Sequence, residues 1–405
     1  MPLVWELTQE IKDFLSPTTL REFNAIWLSQ GIGYPDGLID DLIVVLGIAD
    51  MHYESILGYL ETQQRRTPSL RAEYNGLHAW LVGVVSHFLN LRHALNVQYI
   101  DSSLHYFEGM AQLATLEMPL WIFSLNHDLI IECLAAKFGI PLSSGFSSGE
   151  IALPRRDRLG TKTGDLKAES ITGEQLERGM AFFTHGTPGI NLLKIHGALD
   201  LFIFNDGVDI LKILPLEPTV SGVIAALRAA NEELIYVNQG VAETVTTNEI
   251  TYADDDGRMQ FLRRSILTGA YKFDKRHDQV LPRSMLTHFK THINYVSNLI
   301  CVGYAFGDIH VNEVIRNWLE LNSQRRLEIV DPVIEKVPSP LLHLSPQVDL
   351  TKSCASDYFD KRAGIVRDQF DLAGKRCRSW IRQQPDKQEA ARQFEAFLKQ
   401  DQQRI

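Results

Sequence analysis

Cysteine is scarce in this sequence and never closely paired: Cys133, Cys301, Cys354 and Cys377 are the only four, with no Cys-x-x-Cys among them. That spacing excludes a disulfide framework and a four-thiolate zinc site, so metal analysis of protein purified without an affinity-metal step should find no stoichiometric zinc. A basic surplus is missing too. The 40 Lys and Arg against 50 Asp and Glu give a formal charge of -10, the wrong sign for gripping phosphate backbones through the overall field. Small basic clusters, Arg155, Arg156 and Arg158 or Arg325 and Arg326, read as solvated surface, and no direct nucleic-acid binding is expected. No apolar run approaches the roughly 18 residues of a membrane span. Met1 leads into Pro-Leu-Val-Trp-Glu rather than a basic stretch and an apolar core. These absences point away from a membrane and towards a reducing, cytoplasmic setting. Internal repeats and low-complexity tracts are also lacking.

What is there is ordinary globular composition, 45% apolar and 22% charged over 405 residues. From residue 5 to about 116 the apolar residues recur at helical spacing, as in Leu7-Ile11-Leu15 and Leu77-Leu81-Val84-Val85-Phe88. Pro119 ends this region, and the apolar run at 120–124 has the character of a buried parallel strand. A helical stripe follows at 129–138, with Asp128 placed to cap its start and Gly139 its end. Residues 149–188 are polar and rich in Gly and Thr, which reads as a surface excursion. Segments 192–195 and 201–204 read as two short strands around a turn, and 234–237 as another. A helix is expected at 281–296, a buried strand at 298–302, a helix at 311–321 and a last strand at 327–330. Strands alternating with helices predict an α/β fold with a doubly wound parallel sheet. Its domain spans 1–350, with a helical insertion at about 17–117 and an irregular one at about 205–280. A helical C-terminal tail covers 351–405, ending in a helix at 388–400.

In such sheets ligands sit beyond the carboxyl ends of the strands. Three loops at those positions are unusually polar: Ser124-Leu125-Asn126-His127-Asp128, Lys194-Ile195-His196-Gly197-Ala198-Leu199-Asp200, and Gly303-Tyr304-Ala305-Phe306-Gly307-Asp308-Ile309-His310-Val311-Asn312. In this order they resemble the sirtuin-like proteins of bacterial defence systems. That family's pattern is a strand end running into Asn-Tyr-Asp, then Lys-Leu-His-Gly-Ser, then Gly-Tyr-Ser-Phe-Gly-Asp. The resemblance covers about residues 1–335 and implies a Rossmann-like sheet of sirtuin type that binds NAD as substrate, with no metal required.

Carried over residue by residue, the resemblance makes Asn126 the holder of the nicotinamide ribose or the attacking water, and Asp128 the contact to the nicotinamide carboxamide. His196 matches the general base, a role suited to a group that titrates near neutrality. Gly303, Tyr304 and Ala305 would line the phosphate and ribose, and Asp331 the adenosine end. Each also has a purely structural use. Asn126, Asp128 and Asp308 are natural helix caps, His196 could be a turn residue satisfied by a carbonyl, and His310 and Asn312 could merely support the third loop. His78, His87 and His105 read as surface or core residues. The sequence departs from the pattern at His127 (usually Tyr), Ala305 (usually Ser) and Leu201 (often Trp). The missing hydroxyl at 305 forgoes a hydrogen bond worth about 1 kcal/mol net.

The resemblance implies an NAD glycohydrolase that acts as an anti-phage effector. A sirtuin-type deacylase is disfavoured by the absent Cys-x-x-Cys pair; a non-catalytic NAD or ADP-ribose sensor is the remaining alternative. Relatives are often encoded beside an ATPase or an Argonaute-like protein, so such a partner, and self-association into a homo-oligomer, are expected. A sirtuin-like fold also opens with a strand and a Gly-Ala-Gly-x-Ser loop that cradles pyrophosphate at a helix N-terminus. No such loop lies near the start here. Met1-Pro2-Leu3-Val4-Trp5 resembles the Leu-Pro-x-Trp segment that relatives place after it, and Gly31-Ile32-Gly33 follows a helical rather than a strand pattern. The expectation is an in-frame apolar strand and glycine-rich loop upstream of Met1, and weak NAD binding by the chain as it stands.

Overall fold

The computed structural model describes residues 4–116, 118–147, 149–157, 159–204, 208–234, 249–253, 259–266 and 283–383. Helices open it: α1 (Val4–Phe14), α2 (Pro17–Ser29), α3 (Asp36–Gly47), α4 (Tyr53–Arg66), α5 (Arg71–Leu95), α6 (Val97–Leu104) and α7 (Glu108–Leu116). The local chemistry is legible. Ser16 caps α2 by accepting from the Thr19 amide at 3.2 Å, with Pro17 in the first turn. The i, i+4 stripes of α1 and α5, through Leu7 and Ile11 and through Leu77, Leu81 and Val85, are buried in one core.

The remaining elements are β1 (Leu120–Ser124), α8 (Ile130–Phe138), β2 (Leu142–Ser143), β3 (Glu150–Arg156), β4 (Lys162–Ile171), α9 (Gly173–Arg178), β5 (Ile190–Lys194), β6 (Leu201–Phe204) and β7 (Asp209–Ile213). After these come α10 (Val220–Glu232), β8 (Glu249–Ala253), β9 (Met259–Arg264), α11 (Ser284–His292), β10 (Asn298–Val302), α12 (Ile309–Glu320), β11 (Arg326–Val330), β12 (Val348–Thr351), α13 (Ala355–Ala363) and α14 (Gln369–Gln383). They build a mixed α/β protein. Two three-stranded parallel sheets, ordered β1-β5-β2 and β10-β11-β12, accompany a six-stranded antiparallel sheet ordered β3-β4-β7-β6-β9-β8. Among the described residues no helix is long and apolar enough to cross a membrane.

Several expectations need correction. The segment at 149–188 is not a surface excursion: it supplies β3 and β4, whose Leu153, Leu166, Ala168 and Ile171 are fully buried. Its Lys and Glu residues alternate with apolar ones, the signature of a strand with one buried face, which an averaged composition conceals. The irregular insertion at 205–280 likewise holds β7, α10, β8 and β9, with α10 capped by Thr219. The strands at 190–194 and 201–204 do not pair with each other; β5 joins a parallel sheet and β6 the antiparallel one. The long helix expected at 281–296 is α11 followed by a 3-10 turn to Tyr295, its first two residues lying outside the described residues. So do residues 235–237 of the strand expected at 234–237 and the helix expected at 388–400.

Period-two alternation sends neighbouring residues of β5 to different cores: Ile190 and Leu192 pack with the helical region, Leu193 with α11 and α12. The C-terminal helices are tied on by charge. Arg367 donates to Asp360 from Nε at 3.0 Å and Nη2 at 2.6 Å, and Lys375 reaches the same carboxylate at 2.8 Å. Burial pushes the Asp360 carboxyl up, but Arg367 and Lys375 outweigh it and hold it below its ordinary value. A depressed carboxylate contributes stability that is complete above its ordinary value and is lost as pH falls through the depressed one. Asp360→Asn should therefore cost about 1.5–3 kcal/mol, the range for hydrogen bonds to charged groups. It should also speed tryptic cleavage at Arg376 and Arg378 at neutral pH; cleavage at the parental rate would show that the clamp does not hold α14.

Candidate functional site

The first loop leaves β1 through a small turn in which the Ser124 hydroxyl accepts from the Asn126 amide at 3.2 Å. Asp128 Oδ1 accepts from the Ile130 amide at 3.1 Å, so its carboxylate supports the start of α8. From the helical region, buried His93 donates from Nδ1 to the Leu89 carbonyl, 2.8 Å away, and accepts at Nε2 from the Leu129 amide at 3.1 Å. That pair of bonds requires the neutral ring, and burial accordingly pushes its pKa down. Asn126 is exposed, while His127 is buried with Nδ1 3.3 Å from the Gly197 carbonyl.

Lys194, the last residue of β5, joins the first loop to the second. Its ammonium donates to the Asn126 carbonyl at 3.4 Å and, more closely, to that of Asp128. It also lies 3.5 Å from Glu132. Behind it Lys212 contacts both Glu132, at 3.5 Å, and Asp200. All four side chains are buried. Burial pushes the Glu132 carboxyl up, but Lys194 and Lys212 outweigh this and bring it below its ordinary value. Burial lowers Lys212 as well, and the carboxylates of Asp200 and Glu132 reverse that, raising it to about 12. At Asp200 burial outweighs Lys212 and raises the carboxyl, so the cluster sets Lys194 and Lys212 against Glu132 and a more easily protonated Asp200 beneath the loops.

The Gly of the second loop is dictated by packing. Gly197 has φ 78, and a Cβ there would stand 2.1 Å from the Ser265 carbonyl oxygen. His196 beside it is 3% exposed, and its Nε2 lies 3.1 Å from Asp308 Oδ2. Asp308 belongs to the third loop, where Oδ1 accepts from the His310 and Val311 amides at 3.0 Å and caps α12. One carboxylate therefore serves as helix cap and as partner to the histidine. Phe306 adopts the left-handed conformation, φ 57, held there by Asn312, whose Nδ2 donates to its carbonyl at 2.7 Å. The Tyr304 hydroxyl is 2.8 Å from Asn312 Oδ1, and burial together with Asp308 raises its pKa.

Asn126, Asp128, Gly303 and Tyr304 line a common cavity of about 1150 Å³. Gly303 has φ 65 and open space where a side chain would stand, so its backbone faces the opening unshielded. The next residue back from His196, Ile195, also lines the cavity; His196, Ala305 and Asp331 do not. Asp331 instead accepts from the Val333 amide at 2.8 Å, a turn-capping role. No protein-family model matches the chain, and no curated protein matches it either.

Glu132, Lys212 and the roles of Lys194 and Asp308 are the part of the site that sequence reading passes over. A signal existed for one of them. A lysine that follows an apolar run into the core must find counter-charge when buried, and Lys194 after Leu192-Leu193 is such a residue. Among the described residues no group of His, Cys, Asp and Glu is arranged to hold a metal ion.

Proposed function

We propose that the chain is a sirtuin-like, Rossmann-type NAD glycohydrolase, cleaving the nicotinamide-ribose bond to release nicotinamide and ADP-ribose. The observation that carries this reading is convergence: loops from three separate strand ends meet around one cavity at the carboxyl ends of parallel strands. In the proposed reaction water adds to the ribose C1′ as the C1′–N bond breaks. The bonding pair leaves with nicotinamide as a neutral molecule, and the water proton passes to a base. The ribose is oxocarbenium-like at the transition state, so a carboxylate beside it is stabilising and an amide that fixes the water is useful. Asp128 and Asn126 supply those groups at the cavity wall. The resemblance makes His196 the base; it lies behind Ile195 and off the cavity wall, with its Nε2 3.1 Å from Asp308, so this role requires the second loop to turn the ring towards the cavity when NAD binds. A defence-system ATPase or Argonaute-like partner and self-association into a homo-oligomer belong to the same reading.

Incubation of the purified chain with saturating NAD, with and without an acetyl-lysine peptide, tests the proposal by chromatography of nicotinamide. Release that needs no peptide is the expected result. Release only with peptide would identify a deacylase, and none under either condition would leave a binding protein.

A further inference from the structure

The amino end of β1 carries an aromatic cluster that the three loops do not use. Trp121 lies nearly parallel to Tyr295, with 18° between the rings and 6.1 Å between their centroids. Phe182 and His292 each stand 4.9 Å from the Trp121 ring and 4.9 Å from one another. All four line the cavity. Trp121 and Phe123 share the face of β1 that meets α11, through His292 and Phe289, so the cluster lies over that face rather than along the strand's hydrogen-bonding edge. At a rise of about 3.3 Å per residue it sits roughly 10 Å from Ser124, where the first loop begins.

Packing alone would be served by phenylalanine at position 292. What the imidazole adds is fixed by its partners. His292 Nδ1 lies 2.7 Å from the His288 carbonyl, which can only accept, so Nδ1 carries the hydrogen and Nε2 is a bare acceptor. His288 in turn donates from Nε2 to the Leu176 carbonyl at 2.7 Å, which ties this turn of α11 to α9. Burial pushes the His292 pKa down, keeping the ring neutral and the acceptor available. The ring is 8% exposed and forms part of the cavity wall, and among the described residues no donor meets its Nε2. Among the same residues no acceptor meets the indole N–H of Trp121. The cluster therefore sets one donor beside one acceptor, next to the ring of Tyr295, which is 71% exposed.

We infer that this cluster binds the adenine ring of a nucleoside or nucleotide, at a site separate from the three loops. Adenine carries an acceptor, N7, beside a donor, the exocyclic amino group, and so complements the Trp121 N–H and His292 Nε2 together. Its π-face stacks on the Tyr295 ring, as bases do on aromatic side chains. Guanine presents two acceptors on the same edge, one of which would face the His292 lone pair. An aliphatic chain would leave both nitrogens unsatisfied, and a quaternary ammonium would use the ring faces but not the indole N–H.

The probe is adenosine, titrated into the full chain by calorimetry. Saturable binding is expected. Analogues that lack the amino hydrogens (N6,N6-dimethyladenosine) or the ring acceptor (7-deazaadenosine), and guanosine, should each bind about tenfold more weakly, the effect of one lost hydrogen bond. This series leaves the protein untouched. His292→Phe keeps a ring in the cluster and removes the acceptor. It should weaken adenosine by about tenfold and no longer distinguish it from the dimethylated analogue. Asn126→Ala, at the loops, should leave adenosine binding unchanged, which separates this site from the NAD reading. Absence of saturable binding, equal affinity across the four nucleosides, or loss of adenosine binding in Asn126→Ala would each overturn the inference.

Discussion

His196→Ala should reduce nicotinamide release by about 10²–10⁴-fold, the usual loss on removing one general base, with KM for NAD little changed. The histidine is buried against Asp308, so a purely structural role would also lower activity, through a displaced third loop. Asp308→Asn separates the two. It preserves the side-chain acceptor for the His310 and Val311 amides, and with it the cap of α12, but removes the charge 3.1 Å from the imidazole. A neighbouring carboxylate favours the protonated ring. Without it the limb of the pH-rate profile on which activity rises as the base deprotonates should move to lower pH. If the alanine variant releases nicotinamide at the parental rate, His196 is not the base. An Asp308→Asn profile that keeps its shape and loses only amplitude would make the pair structural.

The strand-end loops were legible because polar residues interrupt apolar runs there, and in an α/β sheet that position faces ligand. The paired use of Asp308 was only half legible. A capping Asp before a helix is readable from sequence, but its second oxygen meets His196 through tertiary packing. The antiparallel strands β3 and β4 escaped notice because their exposed faces carry enough Lys, Glu and Thr to resemble a loop, and only the alternation betrays them. The runs at 120–124 and 298–302 read correctly as parallel strands but not as buried ones, since both stand at the edges of their sheets and are mostly half-buried or exposed. Their neighbours were not legible, since strand order is set by long-range pairing and leaves no local mark on the sequence.

Lys194→Met should destabilise the chain by about 3–5 kcal/mol, the cost of removing one partner from a buried charge network. Lys194 is 3% exposed and Glu132 7%, so water cannot replace the lost ammonium at little cost. Lys212 remains beside Glu132 but is already held by Asp200, which leaves the cluster one positive charge short. The urea midpoint should fall accordingly. Adding Glu132→Leu to Lys194→Met should recover much of the loss, because a neutral Lys212–Asp200 pair then remains and the two removed charges are replaced by apolar volume. The double variant separates stability from function. The carbonyls of Asn126 and Asp128 still lack the donor that Lys194 gave them, so a chain restored to near-parental stability should still fail to hold the first loop and should release nicotinamide slowly. Recovery of both together would make the cluster a matter of folding alone. A Lys194→Met variant with the parental midpoint would mean that these four charges are not the tie between the first two loops.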